Sequence, residues 1–188
     1  RAADWPSPPA RAGAGSTVPS TPIGWTAGKW GEWYADMESG GKPTVAIPKP
    51  YWQSGWRTQH DQLVQTASDM KGRIPLFISG DLHAIGYGRM LASGSANLSA
   101  NPVHSILAGP LGTGTGWPSG RRGMIPQVPH GVQFDELLPV VEQNGFILAD
   151  FTPERVTVRF FKWDRRTQTM ADMDTLEPFR TVELLRKG

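Results

Sequence analysis

Asp81 and His83 stand two residues apart in the segment Ile78-Ser79-Gly80-Asp81-Leu82-His83-Ala84, directly after the apolar run that begins at Ile74. A carboxylate supplies a hard oxygen and an imidazole a nitrogen, a combination suited to Zn, Mn or Fe. Gly80 lets the chain turn sharply where a strand would end. Both side chains would then sit at the carboxyl end of a sheet strand, the usual ligand side of an open α/β sheet. Two ligands do not close a metal site, and the same residues also fit a polar turn capped by Asp81 with His83 packed in a crevice.

The elements that must hold this turn can be read from hydrophobic spacing. The run Ile74 to Ser79 (IPLFIS) is short and apolar on both faces, as in a strand covered by helices. Before it, Arg57 to Met70 predicts a helix with Leu63, Val64 and Ala67 on one face, ended by Lys71-Gly72. Thr44 to Ile47 predicts a short strand, so that strand, helix and strand form a βαβ-like unit. Gly24 to Met37 places Trp30, Trp33, Tyr34 and Met37 at helical spacings. Residues 1–22, rich in Pro, Ala, Gly and Ser, predict an extended arm or linker, leaving 23–188 as the domain. From Gly86 to His130 the glycine, serine and proline clusters predict loops around one short run, Val103 to Leu107, and Asp135-Glu136 fall in a Pro-bounded loop. Phe146 to Asp150 and Arg155 to Trp163 predict an antiparallel hairpin about the Thr152-Pro153-Glu154 turn, with Val182 to Leu185 as a last strand.

Composition narrows the function classes. The chain has 188 residues, 22 Gly, 17 Pro and no Cys, so it reads as a loop-rich globular domain in which thiolate chemistry and disulfides play no part. A formal net charge of +2 argues against a nucleic-acid surface, which needs convergent cations; the cations from Arg155 to Arg166 alternate with apolar residues, as on the wet side of a strand. No apolar run approaches the roughly 18 residues of a membrane span. The first residues lack the apolar core of a signal peptide, and the chain begins at Arg1, as a processed product or fragment would.

The segment IPLFISGDLHA resembles the SGDxH strand of PhoD-like metallophosphoesterases, members of the calcineurin-like superfamily. The similarity extends over roughly residues 25–165. Upstream it takes in the Trp loop Tyr51 to Arg57 and the following helix; downstream it takes in Ser105 to Pro110, Trp117 to Gly123, Asn144-Gly145-Phe146 and Asp150 to Arg155. The resemblance implies the C-terminal half of a four-layer αββα sandwich, α/β (α+β) in class with a β-rich C-terminal part, that hydrolyses phosphate mono- or diesters. Two divalent or trivalent metals (Zn, Mn, Fe or Ca), about 3.5–4 Å apart, would polarise the phosphoryl oxygens and activate the attacking water. Asp81 and His83 occupy the place of the superfamily's last ligand pair, usually GHxH, with Asp81 replacing its first histidine. Earlier ligand motifs of the DxH, GDxxD and GNH types are absent, so either an upstream segment or a second chain supplies the remaining ligands or this piece is inactive by itself. The resemblance also implies an exported or periplasmic location, which the sequence itself leaves open.

Other residues receive weaker roles. His60 lies near the start of the helix after the Trp loop, either beside a substrate or in solvent. His104 should alternate away from Val103 and face the site or solvent. His130 reads as a loop residue. Arg121 or Arg122, beyond the Gly112-to-Gly116 loop, could neutralise a phosphate through the guanidinium fork, or form a solvated pair. Trp52, Trp56 and Trp117 could wall a substrate pocket, whereas Trp30, Trp33 and Trp163 fit packing positions. The competing function is a non-catalytic β-rich module that binds a glycan or a partner.

Overall fold

The computed structural model describes residues 14–17, 24–27, 54–80, 82–112, 126–128 and 131–187. Its elements in chain order are β1 (Ala14–Thr17), β2 (Thr26–Ala27), α1 (Ser54–Ser68), β3 (Ile74–Ser79), β4 (Ile85–Ser93), β5 (Ala96–Asn97), β6 (Val103–Ala108), β7 (Pro126–Gln127), β8 (Val132–Val141), β9 (Gly145–Phe151), β10 (Arg155–Lys162) and β11 (Arg180–Leu185), with a 3₁₀ turn at Met170–Thr175 before the last strand. The chain is an α+β protein rich in strand. No helix among the described residues is long and apolar enough to cross a membrane.

A mixed sheet runs β1-β3-β6-β4-β5, with β8 also paired to β4. β1 and β6 flank β3 in parallel, while β4 runs antiparallel to both β6 and β8. Leu76 and Ile78 of β3 lie opposite His104 and Ile106 of β6. A second, antiparallel sheet has the order β11-β10-β9.

The alternation of side chains along β3 builds the layers. Ile74 and Leu76 join Ile85, Tyr87 and Ile106 on one face and pack against Val156, Val158, Phe160 and Leu184 of the second sheet. Phe77 points the other way, where with Met90 and Val103 it meets Val64 and Ala67 of α1. Helix, mixed sheet and second sheet are thus stacked. The helix arises where the spacing predicts it, but its buried face is His60, Val64, Ala67 and Ser68; Leu63 stands a third exposed at its margin. Steps of three and four residues from Val64 reach His60, Ala67 and Ser68 and define that stripe, while Leu63 falls at its margin.

The hairpin of β9 and β10, the final strand and the buried β3 follow the expectation. Three stretches differ. The glycines after Ile85 belong to a nine-residue strand, because they are packing positions: a Cβ on Gly88 would overlap the Phe134 ring, and one on Gly86 would touch Val140, Leu107 and Trp25. Asp135 and Glu136 lie in β8, where Arg89 Nε donates to Asp135 Oδ2 at 2.9 Å. Pro139, which has no N–H for the ladder, sits where the β4–β8 register slips between Ile85↔Val141 and Tyr87↔Leu138. Thr26–Ala27 pairs with Pro126–Gln127 in an antiparallel bridge where a helix was expected, and Trp25 is buried against Leu82 and Leu107. Within the expected arm, Ala14–Thr17 joins β3 through backbone pairing, which places little demand on side-chain type. The predicted helix beyond Ala27 and the strand at Thr44 to Ile47 lie outside the described residues.

Gly88→Ala is expected to destabilise the protein by about 2–3 kcal/mol through overpacking against Phe134. Urea unfolding monitored by circular dichroism would measure it, and an unchanged midpoint would show that both the Phe134 ring and the Asp135 backbone give way freely.

Candidate functional site

The strand directions sort the candidate residues by edge. β3, β6 and β8 all finish at one edge of the mixed sheet, where β4 begins. That carboxyl edge collects the turn from Gly80 to Ala84, the Gly109-Pro110 corner and the Glu142-to-Gly145 link into the second sheet. The pairs Ile85↔Ala108 and Ile85↔Val141 tie the three together.

His83 sits in the turn, partly exposed, with φ of 53°. Among the described residues it is the one non-glycine with a positive φ. This left-handed conformation is uncommon for a side chain with a Cβ and costs on the order of 1–2 kcal/mol, so the surroundings must hold it. The buried Leu82, packed with Trp25 and Leu107, anchors the residue before it, and Leu82 N–H donates to Gly80 O at 2.8 Å. Asp81, Trp52, Arg121 and Arg122 lie outside the described residues, as do His130 and Trp117. Among the described residues no three His, Cys, Asp or Glu side chains converge.

Beside this edge lies an open cleft of ≈ 570 Å³, with Glu142 to Asn144 on one side and Trp163, Asp164, Arg166 and Gln168 on the other. Asn144 is its fixed point. The buried Asn144 side-chain amide donates to Pro110 O at 3.0 Å, Gly145 N donates to the same oxygen at 3.0 Å, and Trp163 N donates to Asn144 O at 2.8 Å. Gly109, with φ of 86°, lies so close to Ile85 and Gly145 that a side chain would not fit. Trp163 is half-buried and lines the cleft, beyond the end of β10, where strand periodicity had assigned it to packing.

His60 and His104 belong to the opposite edge, so the structure does not bring them to His83. His60 is buried rather than solvated. Its Nδ1 lies 3.1 Å from Asp61 Oδ1 and 3.3 Å from Ser93 Oγ, while Ser93 Oγ donates to the same carboxylate oxygen at 2.6 Å. Arg57 Nε donates to Asp61 Oδ1 at 3.2 Å and Arg57 Nη2 to Gly131 O at 3.3 Å. Burial works against the Asp61 carboxylate, but the hydrogen bonds from His60 and Ser93, with the Arg57 and His60 charges, outweigh it and hold the carboxyl below its usual range. Serine, histidine and aspartate meet here without forming a nucleophile. The hydroxyl is fully buried and donates to the carboxylate, whereas a hydrolytic serine must donate to its base. The cluster is a clamp that fastens α1 to the end of β4. Its signal in the sequence was limited to adjacent His60 and Asp61 at the start of a helix; Ser93 carried none.

His104 faces the second sheet. Tyr87 and His104 stack with ring centres 5.9 Å apart, and the Tyr87 hydroxyl lies 3.0 Å from His104 Nδ1. Burial, reinforced by Arg89 and Lys187, pushes the His104 imidazole down to about 4. Burial also raises the Tyr87 phenol to about 12, against the pull of Arg89 and Arg180. At neutral pH the pair is therefore uncharged, with the phenol donating to the imidazole.

Comparison with known proteins finds no family model, no curated protein and no solved structure that matches the chain.

Two expectations follow. Because the folded-state value of His104 lies below that of an unfolded histidine, the unfolded chain takes up the proton first as pH falls. The His104 term should therefore be absent above about pH 6.5 and should reduce stability by at most about 3 kcal/mol as pH falls toward 4, a loss that His104→Gln abolishes in a series of pH-dependent melts. Separately, Asp61→Ala should cost about 2–3 kcal/mol, since it strips the buried Ser93 hydroxyl of its acceptor and removes a partner of His60; Asp61→Asn should recover part of this.

Proposed function

We propose that this chain is the C-terminal half of a PhoD-like metallophosphoesterase that hydrolyses phosphate esters. The observation that carries the reading is His83, held in a left-handed backbone conformation at the carboxyl end of a buried parallel strand. Strain of that kind persists where the surrounding structure over-determines it, and it concentrates at ligand sites. The order of α1, mixed sheet and second sheet supports the reading, since it corresponds to three layers of the αββα sandwich the resemblance implies.

His83 is a suitable nitrogen donor for a borderline metal, and Asp81, two residues earlier, would add a carboxylate oxygen. A pair of metals bound there would supply Lewis-acid activation of the phosphate. These two residues do not complete a dinuclear centre, so an upstream segment or second chain brings the other ligands. What this chain contributes is the rigid turn: Leu82 is sealed beneath it, and the backbone presents residue 83 at the edge of the sheet. Arg121 and Arg122 remain proposed phosphate contacts, with Trp52 as a proposed pocket wall. His60 and His104 take no part in the proposed site, because they lie at the other edge.

The test uses the protein together with the segment or chain that completes its site. His83→Ala should lower hydrolysis of p-nitrophenyl phosphate and its bis-ester by roughly 100-fold or more, with matching loss of bound metal by elemental analysis. His83→Gly separates the ligand from the fold. It suits the left-handed backbone, so stability should change by no more than about 1 kcal/mol while activity falls as in the alanine variant. Unchanged hydrolysis and metal content in both variants would sink the proposal.

A further inference from the structure

The cleft between Glu142–Asn144 and the loop after β10 lies beside the carboxyl edge, apart from the proposed ligands Asp81 and His83. Its ≈ 570 Å³ is a volume that takes a small organic ligand. The walls are organised before any ligand arrives. Asp164 N donates to Gln168 Oε1 at 2.7 Å, Arg166 N to Asp164 Oδ1 at 2.9 Å, and Gln168 N to Asp164 O at 2.8 Å, so the loop is closed on itself. Asn144 pins the other wall to Pro110 and to Trp163. Such ordering lowers the entropic cost of capturing a ligand.

The chemistry of the lining selects the ligand class. Glu142 and Asp164 offset Lys162 and Arg166 in charge, so neither an anion nor a cation meets a site of uniform opposite sign. Lys162 is also turned toward another partner, with Nζ 4.7 Å from the centre of the Phe179 ring. A hydroxyl is both donor and acceptor, and a ligand bearing several of them can use carboxylates, amides and a guanidinium together. Trp163 adds a broad apolar ring surface with a polar N–H, suited to the C–H face of a saturated ring.

We propose that this cleft is a binding site for a neutral sugar or cyclic polyol, with the ring against Trp163 and its hydroxyls bonded by Glu142, Gln143, Asp164 and Gln168. The site is independent of phosphate hydrolysis and needs no metal. If the phosphoesterase reading also holds, the cleft receives the alcohol portion of the ester, and the substrate is a sugar or polyol phosphate.

The experiment is a titration of the protein in EDTA with glucose, galactose, mannose and myo-inositol, followed by saturation-transfer NMR and calorimetry. At least one should bind with Kd on the order of 1 mM. Trp163→Ala should weaken it roughly tenfold or more, Trp163→Phe should retain binding within about threefold, and Gln143→Ala should weaken it without altering the melting temperature. The phenylalanine and Gln143 variants keep the test valid if the alanine variant misfolds. Absence of binding by all four compounds overturns the proposal. So does binding that Trp163→Phe abolishes while Gln143→Ala leaves it untouched, and so does inorganic phosphate binding in the cleft while no sugar does. Because EDTA excludes metal, failure of the hydrolysis assay leaves this result standing, and failure here leaves that assay standing.

Discussion

The burial of β3 on both faces is the constraint from which the rest of the structure follows. Ile74 and Leu76 commit one face to the second sheet, and Phe77 commits the other to α1. A strand with no solvated face cannot slip by one residue without driving both sets of side chains into the wrong layer. Its carboxyl end is consequently fixed in space, and so is the turn that follows. The left-handed backbone at His83 is sustained by that fixity, with Leu82 sealed below it.

The two edges of the mixed sheet have different work. At the amino edge of its parallel strands, polar side chains are consumed in fastening: the Arg57, His60, Asp61 and Ser93 cluster ties α1 to β4, and Tyr87 with His104 links β4 to β6 within the mixed sheet. The Asp61 carboxylate, the Ser93 hydroxyl and His60 Nδ1 answer one another there, as does the Tyr87 hydroxyl with His104 Nδ1, which is what burial demands. At the carboxyl edge the side chains of Glu142, Gln143, Asp164, Arg166 and Gln168 instead line open space. The bonds from the Asn144 side-chain amide and the Gly145 N–H to Pro110 O let this edge stay open without loosening, because the walls do not depend on the cleft being filled.

Glycine has opposite meanings in two parts of this chain. Gly80 and Gly109 serve turns, with Gly109 in a conformation and a space that admit no side chain. Gly86 and Gly88 lie within a strand, where the missing Cβ admits Trp25, Val140 and the Phe134 ring. Reading all four as loop residues hid the nine-residue β4, and with it the polar end of that strand at Ser93. In the same way Pro139 indicates a slip in a ladder, although by composition it marked a loop.

Local pattern by itself determined the elements whose side chains repeat with a single period: α1, β3, the β9–β10 hairpin and β11. It also placed His83 in a glycine turn directly after a buried strand. Tertiary structure alone decided the rest, because the deciding contacts join residues far apart in the chain. The fate of His60 depended on Ser93, that of His104 on Tyr87, and that of Trp163 on Asn144 and Pro110. Strand direction then settled which candidates could share a site: an edge is defined by how strands pair, and pairing across long separations leaves no signature in the spacing of residues along one strand.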